Sequence, residues 1–398
     1  MNVFPFRRAG GSRVPVWAVF CALGTLTQMA TLAQPQAGGQ GPSAGQLGSS
    51  SSNVNSTQLE AEFYWTPQRL INAKPVELHP RVGVNGLPEA PQAAPVGSAI
   101  VRAEGSRPIA GGVGLNKTLI PEVYLQTGSP NDPNIGIAPN ATSSFGAHFT
   151  TYRAFPPASI TAYPTRTAGK LFFSDPRTGD DYECSAATLQ RRLVVTAGHC
   201  VASPSTNASQ RYFYTNFLFV PGYSNGNAPI GSWSASAVWV TNAWYFSNGS
   251  VPNPQDVGML VMRDNSGQTI GAVTGWLGYI TNRLSNNHAT MLGYPGNLDG
   301  GERLQINHSQ TFANGGSNTF LYGSAMRGGS SGGPWVQDYG VNPGSNPVVA
   351  LGRNYLISVT SYGPTATEPK YQGASNLDSR FITLRNNACG AASTGNCQ

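Results

Sequence analysis

The sequence predicts an all-β protein of two small barrels, or a sandwich, with a short C-terminal helix and a Pro/Gly/Ser-rich region in front. Three observations carry that expectation. Strand-like runs recur at 167–173, 211–220, 237–240, 257–262, 289–292 and 348–362, each bounded by Gly, Pro, Asn or Ser. Runs at such close spacing build barrels or sandwiches, because one strand can bury a face only against several others. Charged residues make up 11% of the chain while Ser, Thr, Asn and Gly abound, a balance common in secreted β-rich proteins. Residues 165–398 also have the length of two small barrels with a cleft between them.

From the N-terminus onward, composition assigns each segment. Arg7, Arg8 and Arg13 precede an apolar stretch over 14–32 that ends in the small residues Ala30, Thr31 and Ala33. This is the layout of a secretory signal peptide, 1–33, cleaved after Ala33, so the mature protein is expected outside the cell. Gly24, Thr25, Thr27 and Gln28 interrupt the stretch and make it a poor membrane span, so no membrane contact is expected once it is removed. Loss of three Arg and no acid lowers the formal charge from +6 to +3. That excess gives no reason to expect nucleic acid as a partner. Residues 34–57, with Gly38-Gly39-Gln40-Gly41-Pro42 and the serines 49–52, hold too little apolar side chain for a core and read as disordered linker. Between 60 and 157, pieces such as Ala99-Ile100-Val101 and Tyr124-Leu125 alternate with many Pro and Gly. Residues 34–157 are therefore expected to be linker plus pro-segment, or an N-terminal extension of the mature protein, ahead of a folded domain at 158–398. Near the far end Leu377, Phe381 and Leu384 recur at i, i+4 and i+7 behind a possible cap at Asn376, the spacing of a helix packed back on the second barrel.

Three stretches can carry chemistry. Thr196-Ala197-Gly198-His199-Cys200 follows the apolar Leu193-Val194-Val195, which places a His at the turn ending a strand. Gln255-Asp256-Val257-Gly258-Met259-Leu260 puts a carboxylate at the head of a buried strand, a costly position unless it has a partner. Gly329-Ser330-Ser331-Gly332-Gly333-Pro334 sets hydroxyls among glycines. A Ser hydroxyl is a weak nucleophile unless an imidazole takes its proton, and the imidazole needs a carboxylate to hold its tautomer. His199, Asp256 and Ser331 supply the three types in the order His, Asp, Ser, with the following Gly-Gly-Pro favouring Ser331 over Ser330. Glycines let backbone N–H groups turn toward a developing oxyanion, so Gly329 and Ser331 are the expected donors. Asp180, Asp181 and Asp264 read as solvated turn charges, and His79, His148, His288 and His308 as surface residues. No His or Cys spacing matches a zinc site, and no metal or cofactor is expected.

Together with Arg166-Thr167-Ala168-Gly169-Lys170-Leu171-Phe172-Phe173, Phe219-Val220-Pro221-Gly222-Tyr223, Leu292-Gly293-Tyr294-Pro295-Gly296, Gly301-Glu302-Arg303-Leu304 and Ser331-Gly332-Gly333-Pro334-Trp335, these motifs resemble the secreted trypsin-like serine proteases of the chymotrypsin fold. Within that family the resemblance points to the branch of the bacterial glutamyl endopeptidases, over residues 160–385. It implies a double β-barrel endopeptidase made as a precursor, a monomer acting on polypeptides through a Ser-His-Asp triad and an acyl-enzyme. It also implies a disulfide between Cys184 and Cys200 beside the His. Cys389 and Cys397 lie in a terminal segment with little core, which a small disulfide loop would tie down, and Cys21 falls in the signal segment.

The family's substrate positions fall on Ala325, Met326, Thr360, Ser361, Tyr362 and Gly363. Ser330 stands where animal trypsins carry the Asp that pairs with a new N-terminus. Ala325 replaces the Asp that selects Lys or Arg, and Met326 and Thr360 replace the Thr or Ser and the His of the glutamyl branch. Neither pocket is spelled out. The alternative is a catalytically silent, secreted binding or adhesion protein on the same scaffold. Asn-x-Ser/Thr matches at Asn55, Asn116, Asn140, Asn207, Asn248 and Asn307 would be glycan acceptors in a eukaryotic source.

Overall fold

The computed structural model describes residues 47–83, 86–90, 94–109, 114–121, 148–340, 353–364, 370–391 and 395–398. The expected signal peptide with Cys21, the Tyr124-Leu125 piece and Asn140 lie outside the described residues. The first barrel consists of β1 (Ala168–Ser174), β2 (Asp181–Thr188), β3 (Leu193–Thr196), β4 (Thr215–Pro221), β5 (Trp233–Thr241) and β6 (Gly258–Met262). Its order is β5-β4-β1-β2-β3-β6, and β6 pairs back on β5, so the ladder closes with every pair antiparallel. The second comprises β7 (His288–Gly293), β8 (Gln305–Gly316), β9 (Thr319–Gly323), β10 (Pro334–Gln337), β11 (Tyr355–Tyr362) and β12 (Tyr371–Ser375). The order β10-β7-β8-β9-β12-β11 is closed by β10 on β11, again antiparallel.

The strand period explains how the core divides. On β1, Leu171 and Phe173 point inward to Phe217, Phe219, Trp233 and Leu260, while Phe172 between them points out. Phe172 is still fully buried, because with Val195 and Leu218 it meets Leu292, Val336 and Val359 of the second barrel in a shared layer. The interior of the second barrel holds Met291, Trp335, Ile357 and Tyr322, whose ring lies 4.7 Å from that of Trp335. Burial on both faces turns strands that would otherwise alternate into the near-continuous apolar runs of the sequence.

Several expectations change. The serines 49–52 are not linker: the strand Ser49–Asn53 pairs antiparallel with β5, from Ser49 opposite Thr241 to Asn53 opposite Ala237. An edge strand is held by backbone hydrogen bonds, so it needs no apolar side chains to form. The extended piece expected at 99–101 lies at Arg102–Ala103, paired with Gly278–Ile280, and Phe149–Arg153 pairs with β8. Asp181 is not solvated; its largely buried carboxylate accepts from Tyr64 OH (2.9 Å), Ser174 Oγ (2.9 Å) and Arg69 (2.8 Å). The C-terminal helix, α1 (Ser379–Gly390), is capped by Asp378 rather than Asn376 and packs chiefly on β5 and β6 of the first barrel, while its Phe381 ring lies 5.3 Å from that of Tyr279, on the strand paired with β11 of the second. Asn376 instead accepts from Leu284 N–H and donates to Asn282. Both expected disulfides, Cys184–Cys200 and Cys389–Cys397, are closed.

Candidate active site

Strand β3 ends at Thr196, and the next turn, Gly198–Cys200, turns His199 inward beside the Cys184–Cys200 disulfide. A Cβ on Gly198 would sit 2.8 Å from the Trp244 ring and 2.9 Å from Asp256 Oδ1, so only glycine allows this approach. Trp244 in turn shields the imidazole, ring to ring at 5.9 Å, and its indole N–H donates to the Ala202 carbonyl. Asp256, wholly buried just before β6, has the partners its position demands. Its Oδ2 lies 2.7 Å from His199 Nδ1 and accepts the Ser361 hydroxyl at 2.7 Å, while Oδ1 accepts His199 N–H at 2.9 Å.

The glycine-rich turn ahead of β10 is clamped by both barrels. From the first, Ser185 N–H donates to the Ser331 carbonyl (2.7 Å) and Ser185 Oγ to the Gly329 carbonyl (2.8 Å). From the second, Gly332 N–H donates to the Thr360 carbonyl (2.8 Å) and Thr360 N–H to the Gly333 carbonyl (3.0 Å). Gly332 has φ +78°, and a Cβ there would overlap Thr196 Oγ1 and the Ser185 carbonyl. Gly332, next to Ser331, thereby lies against the strand end that leads to His199. Ser330 points elsewhere: its hydroxyl donates to the Arg327 carbonyl and accepts from Gln372 Nε2 at 2.6 Å.

The cleft beside Ser331 is lined by Met326, Arg327, Ser330, Thr360, Tyr362, Gly363 and Gln372. Of the expected substrate positions, Ala325 and Ser361 do not line it: Ala325 is backed by Asn297, and Ser361 turns to Asp256. Gln372 was not anticipated, since a glutamine within a strand carries no sequence signal of its own. Thr360 Oγ1 is occupied by the Trp335 indole N–H at 2.8 Å. Burial pushes the Tyr362 phenol far up, so this ring stays neutral at the cleft, and it pushes the nearby buried Tyr371 phenol to about 12. Behind β2, Lys170 sits between Glu183 (2.6 Å) and Glu302 (3.3 Å). One ammonium cannot offset two carboxylates, and burial pushes Glu183, the deeper of the two, up to about 7. His288 is exposed as expected, but His308 is half-buried between Tyr152 OH (2.8 Å) and Thr290 Oγ1 (3.0 Å), and burial, with the like charge of the neighbouring His288, holds it below the usual imidazole range.

No family model matches the chain. Among curated proteins it is 27% identical over 129 residues to an extracellular metalloprotease of Bacillus subtilis (strain 168), a match covering 32% of this chain and 37% of that protein. Among solved structures it is similar to protease Anisep from Arthrobacter nicotinovorans, at 30% identity over 58% of this chain and 99% of that one, TM-score 0.47. It is also similar to the thermostable serine protease AL20 from an extremophilic microorganism (27%, 56% and 98%, TM-score 0.47) and to a Glu endopeptidase (17%, 60% and 95%, TM-score 0.44). Two closed six-stranded antiparallel barrels with a C-terminal helix define the chymotrypsin-like class. Within that class it is the sequence motifs set out above that resemble the trypsin-like, glutamyl-endopeptidase-like branch. The name of the Bacillus protein raises a metal, and the one cluster of donors among the described residues is Cys184, His199 and Cys200. Both sulfurs are spent in the disulfide and His199 Nδ1 faces Asp256, so this set does not fit an ion.

Proposed function

We propose that this chain is the precursor of a secreted serine endopeptidase that hydrolyses peptide bonds through His199, Asp256 and Ser331. The observation that supports the reading best is the buried Asp256, which holds His199 by both its ring and its backbone N–H next to the clamped Ser331 turn. In the proposed reaction Ser331 Oγ bonds to the scissile carbonyl carbon as its proton passes to His199 Nε2. Asp256 offsets the imidazolium, and the Gly329 and Ser331 N–H groups receive the oxyanion. Collapse breaks the C–N bond, the departing amine takes the proton from His199, and a water activated by the same imidazole hydrolyses the acyl-enzyme. Met326, Thr360, Tyr362, Gly363 and Gln372 would contact the substrate, and neither the Asp of the Lys/Arg-selecting pocket nor the His of the glutamyl pocket is present. Domain limits follow from the same reading: a signal peptide at 1–33, a pro-region at 34–157 and the protease at 158–398.

The test is covalent labelling of the processed protein with a fluorophosphonate, which reacts quickly only with an activated Ser beside a formed oxyanion hole. Labelling is expected on Ser331, abolished by Ser331→Ala and retained by Ser330→Ala. A folded, processed protein that never labels would overturn the enzymatic reading in favour of a silent binding protein.

A further inference from the structure

Residues 74–79 run directly across the cleft. Lys74 and Pro75 pair in parallel with Tyr182 and Glu183 of β2, and Val76 N–H donates to the Glu183 carbonyl at 3.1 Å. The Val76 carbonyl accepts the Gly329 N–H at 3.2 Å and the Ser331 hydroxyl at 3.2 Å. Glu77 accepts Gly328 N–H at 2.9 Å through its carboxylate. Beyond it the Leu78 carbonyl accepts Gly363 N–H at 3.2 Å, and His79 Nδ1 lies 3.2 Å from the Gly363 carbonyl. Val76 and Leu78 also pack, half-buried, on an apolar cluster formed by the first-barrel interior together with Leu321, Tyr362 and Tyr371 of the second barrel. The segment is thus tied to both barrels and touches the nucleophile itself. It takes up one of the two N–H groups expected to receive an oxyanion and leans on Gly363, where the family's substrates bind.

We infer that residues 74–79 are a built-in inhibitory strap that keeps the precursor silent by occupying the substrate cleft, a proposal that rests on the serine-protease reading above. The strap blocks in two ways. It fills the path of a substrate backbone, and it draws the Ser331 proton toward the Val76 oxygen instead of toward the base. His199 Nε2 correspondingly has no hydrogen-bond partner among the described residues. A nucleophile whose proton faces the carbonyl oxygen has no route to hand it to imidazole, which explains how a peptide bond can rest at this serine uncut. Because the strap is covalently continuous with the barrels, its local concentration is high, and a cut in the chain between it and Phe149–Arg153 would convert that advantage into an ordinary dissociation.

The test compares the full-length chain with a triple variant, Val76→Gly, Glu77→Ala, Leu78→Gly, and with Glu77→Ala alone in case the triple change unsettles the fold. Two readouts are taken: the rate of fluorophosphonate labelling, with Ser331→Ala as blank, and hydrogen exchange at the amides of Gly329 and Gly363. The triple variant is expected to label at least about tenfold faster, the loss of about one net hydrogen bond's worth of closed-state bias. Both amides should exchange faster in step, and Glu77→Ala should move each readout in the same direction by less. Equal labelling rates and unchanged exchange in a folded variant would overturn the strap while leaving the nucleophile standing. Faster exchange without labelling of any form, processed protein included, would overturn the protease reading, and inhibition with it.

Discussion

Asp256→Asn separates a catalytic imidazole from a merely buried one. In the wild type Oδ2 faces two donors, the His199 ring and the Ser361 hydroxyl, and Oδ1 faces the His199 backbone N–H. An asparagine must turn its NH2 toward one of these. Placed at Oδ1 it opposes a backbone N–H that cannot move. Placed at Oδ2 it is accommodated, because Ser361 can rotate to accept and the ring can carry its proton on Nε2 instead of Nδ1. The second arrangement is preferred, and it leaves the proton on Nε2, which then cannot accept one from a nucleophile. Loss of the accepting tautomer should lower kcat by about 10⁴, equivalent to ~5 kcal/mol of barrier, with KM little changed. Folding stability should fall by only ~1–3 kcal/mol, the range for one mismatched buried hydrogen bond. The assay is steady-state hydrolysis of a peptide amide by processed protein, alongside thermal melting. A folded variant retaining a tenth or more of wild-type kcat would refute the role given to Asp256.

Other outcomes follow from the same geometry. Replacing Cys184 and Cys200 by Ser should cost ~3 kcal/mol of stability, as loop-closure entropy predicts for a loop of this size, and lower activity by loosening the turn that carries His199; equal urea midpoints would contradict this. Burial pushes the Glu183 carboxyl up to about 7 in the folded protein, above the ordinary carboxylate value of 4.5, so its contribution to stability is full below 4.5 and is lost as pH rises through about 7. Relative to Glu183→Gln, the wild type should therefore lose ground between those limits, and urea midpoints that run parallel with pH would rule the linkage out. Gly332→Ala should destabilise by at least ~2 kcal/mol and abolish labelling of Ser331, because the added Cβ meets Thr196 and Ser185 at a positive φ. A stable, reactive Gly332→Ala protein would show that the turn is looser than described.

Much of this protein was legible in its sequence, and the legible parts share a cause. Strand period, turn residues and the flanks of His199, Asp256 and Ser331 are local properties, carried by neighbours in the chain. So the barrel strands fell close to where the apolar runs lie, and the cost of a buried Asp256 announced that it must have partners. What those partners are was decided only in three dimensions: Ser361 read as a substrate contact, yet it comes 105 positions later to hold the Asp256 carboxylate. The serines 49–52 read as linker because composition reports side chains, whereas an edge strand is built from backbone bonds to a partner nearly two hundred residues away. Asn307 matches a glycan acceptor in sequence but is wholly buried, donating to the Gly323 carbonyl. The helix spacing was visible, but not which barrel receives it, since an apolar stripe specifies that it must be covered and not by what. Residues 74–79 show the division most sharply. Nothing in Lys-Pro-Val-Glu-Leu-His predicts a destination, because main-chain groups are the same in every sequence, and only the fold brings the Val76 carbonyl to Ser331, 255 positions away.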